Sequence, residues 1–183
     1  MTALLLIDIQ KGLQELDFYG EERNNLNAEA NSAKLLEAFR SKNMPIYHVQ
    51  HCSLNPDSPL HPSNPGNDFN PLVQPKENEP IIKKHVNSAF IGTDLENTLK
   101  KDGISEVVIA GLTTEHCVST STRMAANLGF KVQLISDATA AFNKIGLNGE
   151  TYSAALAHSL ELANLKDEFA TILDTQTLLA QID

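Results

Sequence analysis

Three reactive side chains, Asp8, Lys84 and Cys117, stand at or just past the carboxyl ends of apolar runs in the chain. Asp8 follows Leu4-Leu5-Leu6-Ile7, where a buried strand would ordinarily carry another aliphatic residue. Lys84 ends Pro80-Ile81-Ile82-Lys83-Lys84, and Cys117 lies just past the run from 106 to 112, in the first turn of the helix expected to follow. A thiol near a helix N-terminus feels the positive end of the dipole, and an adjacent ammonium lowers its pKa further, so a thiolate becomes reachable at neutral pH. Cys117 then suits a nucleophile. A carboxylate against it takes up the thiol proton and later passes it to a leaving group, which suits Asp8. Backbone N–H groups in the turn from 113 to 117 point toward the same spot, where an oxyanion would develop. Each residue also has a plainer reading: a Cys in a first turn can be a small core residue, and an Asp after a strand can cap the next turn.

The elements that would position these groups follow from periodicity. Residues 3–9, 45–50, 80–84, 106–112, 131–136 and 169–173 are predicted strands. Helical patterning falls at 25–40, 114–128, 151–165 and 175–181, and Thr93-Asp94-Leu95-Glu96 reads as a capping box opening a helix that closes at Gly103. In the helix at 151–165, Tyr152, Leu156, Ser159 and Leu160 share one side. Strand and helix alternate, which predicts a single α/β domain over residues 1–183, with a parallel sheet covered on both faces. In such a sheet ligands bind beyond the carboxyl ends of the strands, where the strand order reverses.

From 51 to 79 the rhythm breaks, with six prolines and almost no periodicity; this reads equally as a surface loop or as a wall over a site. His48, His51 and His61 invite a metal reading, but residues three apart on a continuing strand face opposite ways, so His48 and His51 share an ion only if the strand ends between them, and no cofactor is expected. His116, beside Cys117, is a candidate pocket wall. No Gly-x-Gly-x-x-Gly, phosphate-cradling loop or Gly-x-Ser-x-Gly elbow occurs.

The 183 residues include 14 basic and 23 acidic side chains, a net charge of −9, and no basic stripe, so nucleic acid is not an expected partner. Hydrophobic residues at 42% and charged residues at 20% describe an ordinary globular chain. The opening Met1-Thr2-Ala3-Leu4-Leu5-Leu6-Ile7 lacks a basic segment and stops at Asp8, too short for a signal core or a membrane span. A cytoplasmic protein with reduced Cys52 and Cys117 is expected.

Four pieces in order, Leu5-Leu6-Ile7-Asp8-Ile9-Gln10, Lys84-x-x-x-Ser88-Ala89-Phe90, Gly111-Leu112-Thr113-Thr114-Glu115-His116-Cys117-Val118 and Ser136-Asp137-Ala138, resemble the isochorismatase-like family of cysteine hydrolases, which includes nicotinamidases and carbamoylsarcosine amidohydrolases. The resemblance implies a Rossmann-like three-layer α/β/α fold with a six-stranded parallel sheet and a triad of Cys117, Asp8 and Lys84 working through a thioester. It also implies a cis peptide at Leu112-Thr113 and an oxyanion hole from the N–H groups of Thr113 and Cys117. Phe18, Phe90 and His116 are the candidate pocket residues, and a homodimer or tetramer is the implied assembly. Two departures stand out: where nicotinamidases carry an Asp-x-His metal motif the chain reads Val49-Gln50-His51-Cys52, which leaves only His51 as a weak candidate ligand, and the acidic and aromatic pair near the first motif is displaced to Asp17-Phe18. The expected function is hydrolysis of an amide-type C–N bond in a small molecule. The rivals are a vinyl-ether hydrolase using Asp8 as acid, and a thiol redox sensor.

Overall fold

The computed structural model describes residues 1–182, leaving Asp183 outside the described residues. Six parallel strands form the central sheet: β1 (Thr2–Ile7), β2 (Ile46–His51), β3 (Ile81–Lys84), β4 (Glu106–Leu112), β5 (Lys131–Ala140) and β8 (Thr171–Leu173). Their spatial order is β3-β2-β1-β4-β5-β8, so the winding direction reverses between β1 and β4. Alternation along β1 explains the two helical layers. Leu4 and Leu6 pack with Leu35, Leu36 and Phe39 of α2 (Ala28–Ser41) and Leu178 of α6 (Thr175–Ile182). Ala3, Leu5 and Ile7 face the other way, toward Leu95 and Leu99 of α3 (Leu95–Lys101), Ala125 of α4 (Ser119–Asn127) and Leu165 of α5 (Ala154–Leu165).

Several boundaries differ from the sequence reading, each for a local reason. β1 ends at Ile7 because Asp8 turns into a left-handed conformation, φ 50°. Helix α2 starts at Ala28 because Asn25 is left-handed too, and its side-chain amide donates to Ser136 O and Thr139 O, tying the chain to β5; Leu26 is left exposed. The capping box at Thr93 does not form, since that hydroxyl donates to Ala89 O at 2.6 Å and Asp94 precedes the helix. Strand β5 runs four residues past Ser136 through an irregularity in its pairing with β4. There Asp137 Oδ1 accepts from the Thr175 N–H and hydroxyl, so the Ser136-Asp137-Ala138 motif anchors α6. A short hairpin of β6 (Lys144–Ile145) and β7 (Thr151–Tyr152) precedes α5, whose first residue is Ala154 rather than 151; Ser153 caps it.

Candidate active site

Asp8, Lys84 and Cys117 leave the carboxyl ends of β1, β3 and β4 and meet at the reversal of strand order. Asp8 and Lys84 are fully buried and paired, Nζ to Oδ2 at 2.6 Å. The ammonium also donates to Cys117 Sγ at 3.2 Å and to Val86 O at 3.1 Å, and His51 Nδ1 lies 3.1 Å from it. The close approach of β4 to β1 depends on Gly111, which has φ 134°; a Cβ there would sit 2.0 Å from Ile7 O.

Electrostatics corrects one sequence expectation. The Cys117 thiol pKa is raised, first by burial and then by the Asp8 carboxylate, with Lys84 only partly opposing them. The resting group is a thiol, not a thiolate. Residues 114 to 118 form a π-helical turn in which Val118 N–H donates to Thr113 O and which runs directly into α4 at Ser119, so Cys117 lies in a helical first turn as the sequence suggested, and it is burial and the Asp8 charge that outweigh the ammonium. Burial pulls the Lys84 pKa down, but Asp8 and Cys117 outweigh it and hold the ammonium charged.

The Leu112-Thr113 peptide is cis, and among the described residues no backbone acceptor takes the Thr113 N–H. Thr114 Oγ1 lies 2.8 Å from His158 Nδ1, so α5 braces the turn from behind.

A cavity of about 400 Å³ opens over Asp8 and Cys117, while the buried Lys84 is not among its lining residues. Phe18 and His116 line it as the sequence suggested, whereas Phe90 is placed in the core beside Phe130 and is not among the lining residues. The pattern reading missed Leu13, Tyr19, Leu60 and Phe142, which form its apolar side, with Tyr19 stacked on Phe142 at 5.3 Å. It also missed Asn87, whose Oδ1 is 3.7 Å from Cys117 Sγ, and Lys144, which pairs with Glu115 at 2.7 Å and contacts His116 Nε2 at the mouth. The Pro-rich segment is a wall, since Ser58 and Leu60 line the cavity. Asn67 holds it, donating to His51 O and Leu60 O at 2.8 and 2.7 Å. Position in a stretch without periodicity left these residues no signal beyond the prolines themselves.

Among the described residues, donor atoms of Asp8, His51 and Cys117 lie within 4.8 Å of one another, a spacing that a cation can bridge. The Lys84 ammonium already contacts all three. A metal of the nicotinamidase kind does not fit this chain, because Val49 fills the Asp position with a buried aliphatic side chain and His51 Nδ1 is engaged by Lys84.

Residues 2–177 match the Isochorismatase domain model. The uncharacterized isochorismatase family protein YrdC of Bacillus subtilis is 50% identical over 177 residues, covering 97% of this chain and 94% of that protein. An isochorismatase-family protein from Chromobacterium violaceum superposes with a TM-score of 0.95 at 40% identity, over 99% of this chain and 93% of that one. Nicotinamidase 3 of Arabidopsis thaliana is 35% identical over 98 residues, 54% of this chain and 44% of that one. With a family match across nearly all its length and relatives this near in sequence and fold, the chain belongs to the isochorismatase family of hydrolases.

Proposed function

We propose that the protein, acting as one domain, hydrolyses an amide-type C–N bond of a small molecule through a thioester on Cys117. The observation that carries this reading is the Lys84 ammonium bridging the Asp8 carboxylate and the Cys117 sulfur at 2.6 and 3.2 Å. As sulfur attacks the carbonyl carbon, Asp8 receives the thiol proton, so the unfavourable free thiolate is never required. Lys84 offsets the charge passing between sulfur and carboxylate. The carbonyl oxygen becomes an oxyanion and takes hydrogen bonds from the N–H groups of Thr113 and Cys117. Asp8 then hands its proton to the leaving nitrogen, the C–N bond breaks, and the acyl group stays on sulfur. Water attacks the thioester and gives a proton to Asp8, which returns it to sulfur as the acid departs. Asp8 and Lys84 serve proton transfer in this cycle, a pairing that a redox sensor does not need. A screen of small carboxamides for ammonia release tests the reading: release that depends on Cys117 supports it, and none from a broad panel contradicts it.

The same reading includes self-association. Leu156 and Leu160, one turn apart on α5, and Tyr152 and Ile145 in the adjoining hairpin are exposed, so the apolar side that helical spacing picks out points outward. A second copy of this chain is the partner that covers it. Two free cysteines accord with a cytoplasmic setting, and no helix among the described residues is long and apolar enough to cross a membrane.

A further inference from the structure

Helix α5 grips the nucleophile turn at both ends. Before Cys117, Thr114 Oγ1 lies 2.8 Å from His158 Nδ1. After it, the Ser119 hydroxyl donates to Glu161, one turn further along α5, and Glu161 also accepts from Arg123 Nη2 at 3.1 Å. Thr114 is sealed from solvent and His158 is buried. The direction of the Thr114–His158 bond follows from the far side of the ring. There the Asn25 amide nitrogen lies 3.3 Å from Nε2, but both of its hydrogens go to carbonyls, Ser136 O at 2.9 Å and Thr139 O at 2.8 Å. Nε2 therefore takes no proton from Asn25, and the Ser136 carbonyl favours one carried by the ring itself. Burial lowers the ring pKa against the pull of Glu115 and that carbonyl, and keeps the imidazole neutral. A neutral ring protonated at Nε2 has a bare Nδ1, which only accepts. Within the turn, Thr113 O accepts from the His116 and Val118 N–H groups at 3.1 and 3.2 Å, so the carbonyl of the residue before Thr114 is held as well.

We propose that His158 is a positioning residue for the reaction: the Thr114 hydroxyl donates to its Nδ1, and this bond, with Glu161 holding the far end, fixes the turn that presents the Thr113 N–H to the developing oxyanion. His158 is not among the residues lining the cavity, so it acts through Thr114 rather than on substrate. Without that acceptor a fully buried hydroxyl loses its partner and must turn elsewhere, and its residue directly follows Thr113. A displaced oxyanion donor costs most in the transition state, where the charge on oxygen is largest, and little in the bound substrate. The effect therefore falls on kcat rather than on KM. This inference rests on the amide reading above and deepens it.

Two measurements test it. The first needs no substrate. The ¹⁵N shifts of the His158 ring in the wild-type protein are expected to show a pyridine-type Nδ1 and a pyrrole-type Nε2. The Thr113 amide resonance should move in Thr114→Val and His158→Leu. It should stay near its wild-type position in Thr114→Ser, which keeps the hydroxyl, and in His158→Asn, whose side-chain oxygen stands where Nδ1 was. A protonated Nδ1, or a Thr113 amide indifferent to all these changes, overturns the proposal. The second is kinetic, with a carboxamide the enzyme turns over. The isosteric Thr114→Val, and His158→Leu, should each lower kcat by about tenfold or more with little change in KM, and the double variant should lose no more than either. Thr114→Ser and His158→Asn should recover most of the loss. Glu79→Gln removes an ion pair at the far edge of the sheet and should keep wild-type kcat, which separates positioning from a general loss of stability. Equal losses in Thr114→Ser and Thr114→Val, additive losses in the double variant, or a matching loss in Glu79→Gln overturn the positioning role. If no carboxamide turns over, the amide reading fails, and the His158 and Thr113 resonances still decide whether this bond holds the turn.

Discussion

Lys84 and Asp8 form an ion pair at 2.6 Å with neither side chain exposed to solvent, although they reach it from strands separated by β2. Two charges removed from water repay their desolvation only when geometry is good and the remaining valences are filled. Here the ammonium has further acceptors in Val86 O and Cys117 Sγ, while Asp8 Oδ1 has no hydrogen-bond partner. An acceptor held beside the nucleophile with spare capacity is what proton transfer requires.

Asp8→Asn and Lys84→Met each leave one buried charge without its counter-charge, so each is expected to reduce turnover by at least about 100-fold. Each should also lower stability by about 3–5 kcal/mol. Lys83→Ala is the control, because that side chain is on the exposed side of β3 and should alter neither quantity. Steady-state kinetics with thermal unfolding checks both effects, and full activity in either Asp8→Asn or Lys84→Met removes that residue from the mechanism.

The raised Cys117 pKa gives a pH dependence with a definite sign. The folded protein holds the thiol proton more tightly than the unfolded chain does, so this contribution to stability is complete below the unfolded thiol pKa of about 8.5 and is lost as pH climbs past it. Alkylation of Cys117 should therefore keep accelerating above pH 8.5 or so. Asp8→Asn, which removes the nearby negative charge, should shift the profile to lower pH. Cys52, buried, should label after Cys117. Peptide mapping across a pH series reads all three, and a rate plateau below the ordinary thiol range contradicts them.

The three chemical groups were legible in the sequence because each interrupts an apolar run, and parallel strands deliver their ends to one edge of a sheet. Their surroundings were not. Tyr19, Ser58 and Leu60 come from stretches with no period, held in place by contacts such as Asn67 to Leu60 O that link residues across an irregular loop. Leu156 and Leu160 show the limit of periodicity itself: spacing identifies a shared helix side, but only packing decides whether that side turns inward. The state of Cys117 was misread because residue types show the helix start and the lysine but neither the depth of burial of the sulfur nor the Asp8 carboxylate beside it.

At the far edge of the sheet, Glu79 accepts from Arg40 Nε at 2.7 Å and from the Lys76 N–H, and it contacts His48 Nε2 at 2.9 Å. Burial opposes its charge, but these partners win and depress its pKa to about 2. The linked stability is present above the unfolded carboxyl pKa of about 4.3 and is lost as pH falls through the folded value. Glu79→Gln is expected to flatten the fall in melting temperature between neutral pH and pH of about 2, the end of that range. Parallel acid profiles of wild type and variant contradict this assignment.

Paired Leu156→Asp and Leu160→Asp substitutions put charge on the outward face of α5 and should convert the assembly to a monomer near the chain mass of 20.0 kDa by light scattering. A wild-type monomer, or an assembly indifferent to both changes, contradicts self-association through that face.

The most direct measurement is intact-protein mass spectrometry of a rapidly acid-quenched reaction with a carboxamide the enzyme turns over. An adduct equal to the acyl group, mapped to Cys117 and absent from Cys117→Ala, which should also be inactive, is the expected result. Turnover near the wild-type rate by Cys117→Ala, with no adduct in the wild type, would contradict covalent catalysis; if that variant cleaves a vinyl ether while Asp8→Ala does not, Asp8 is the acid and Cys117 a bystander.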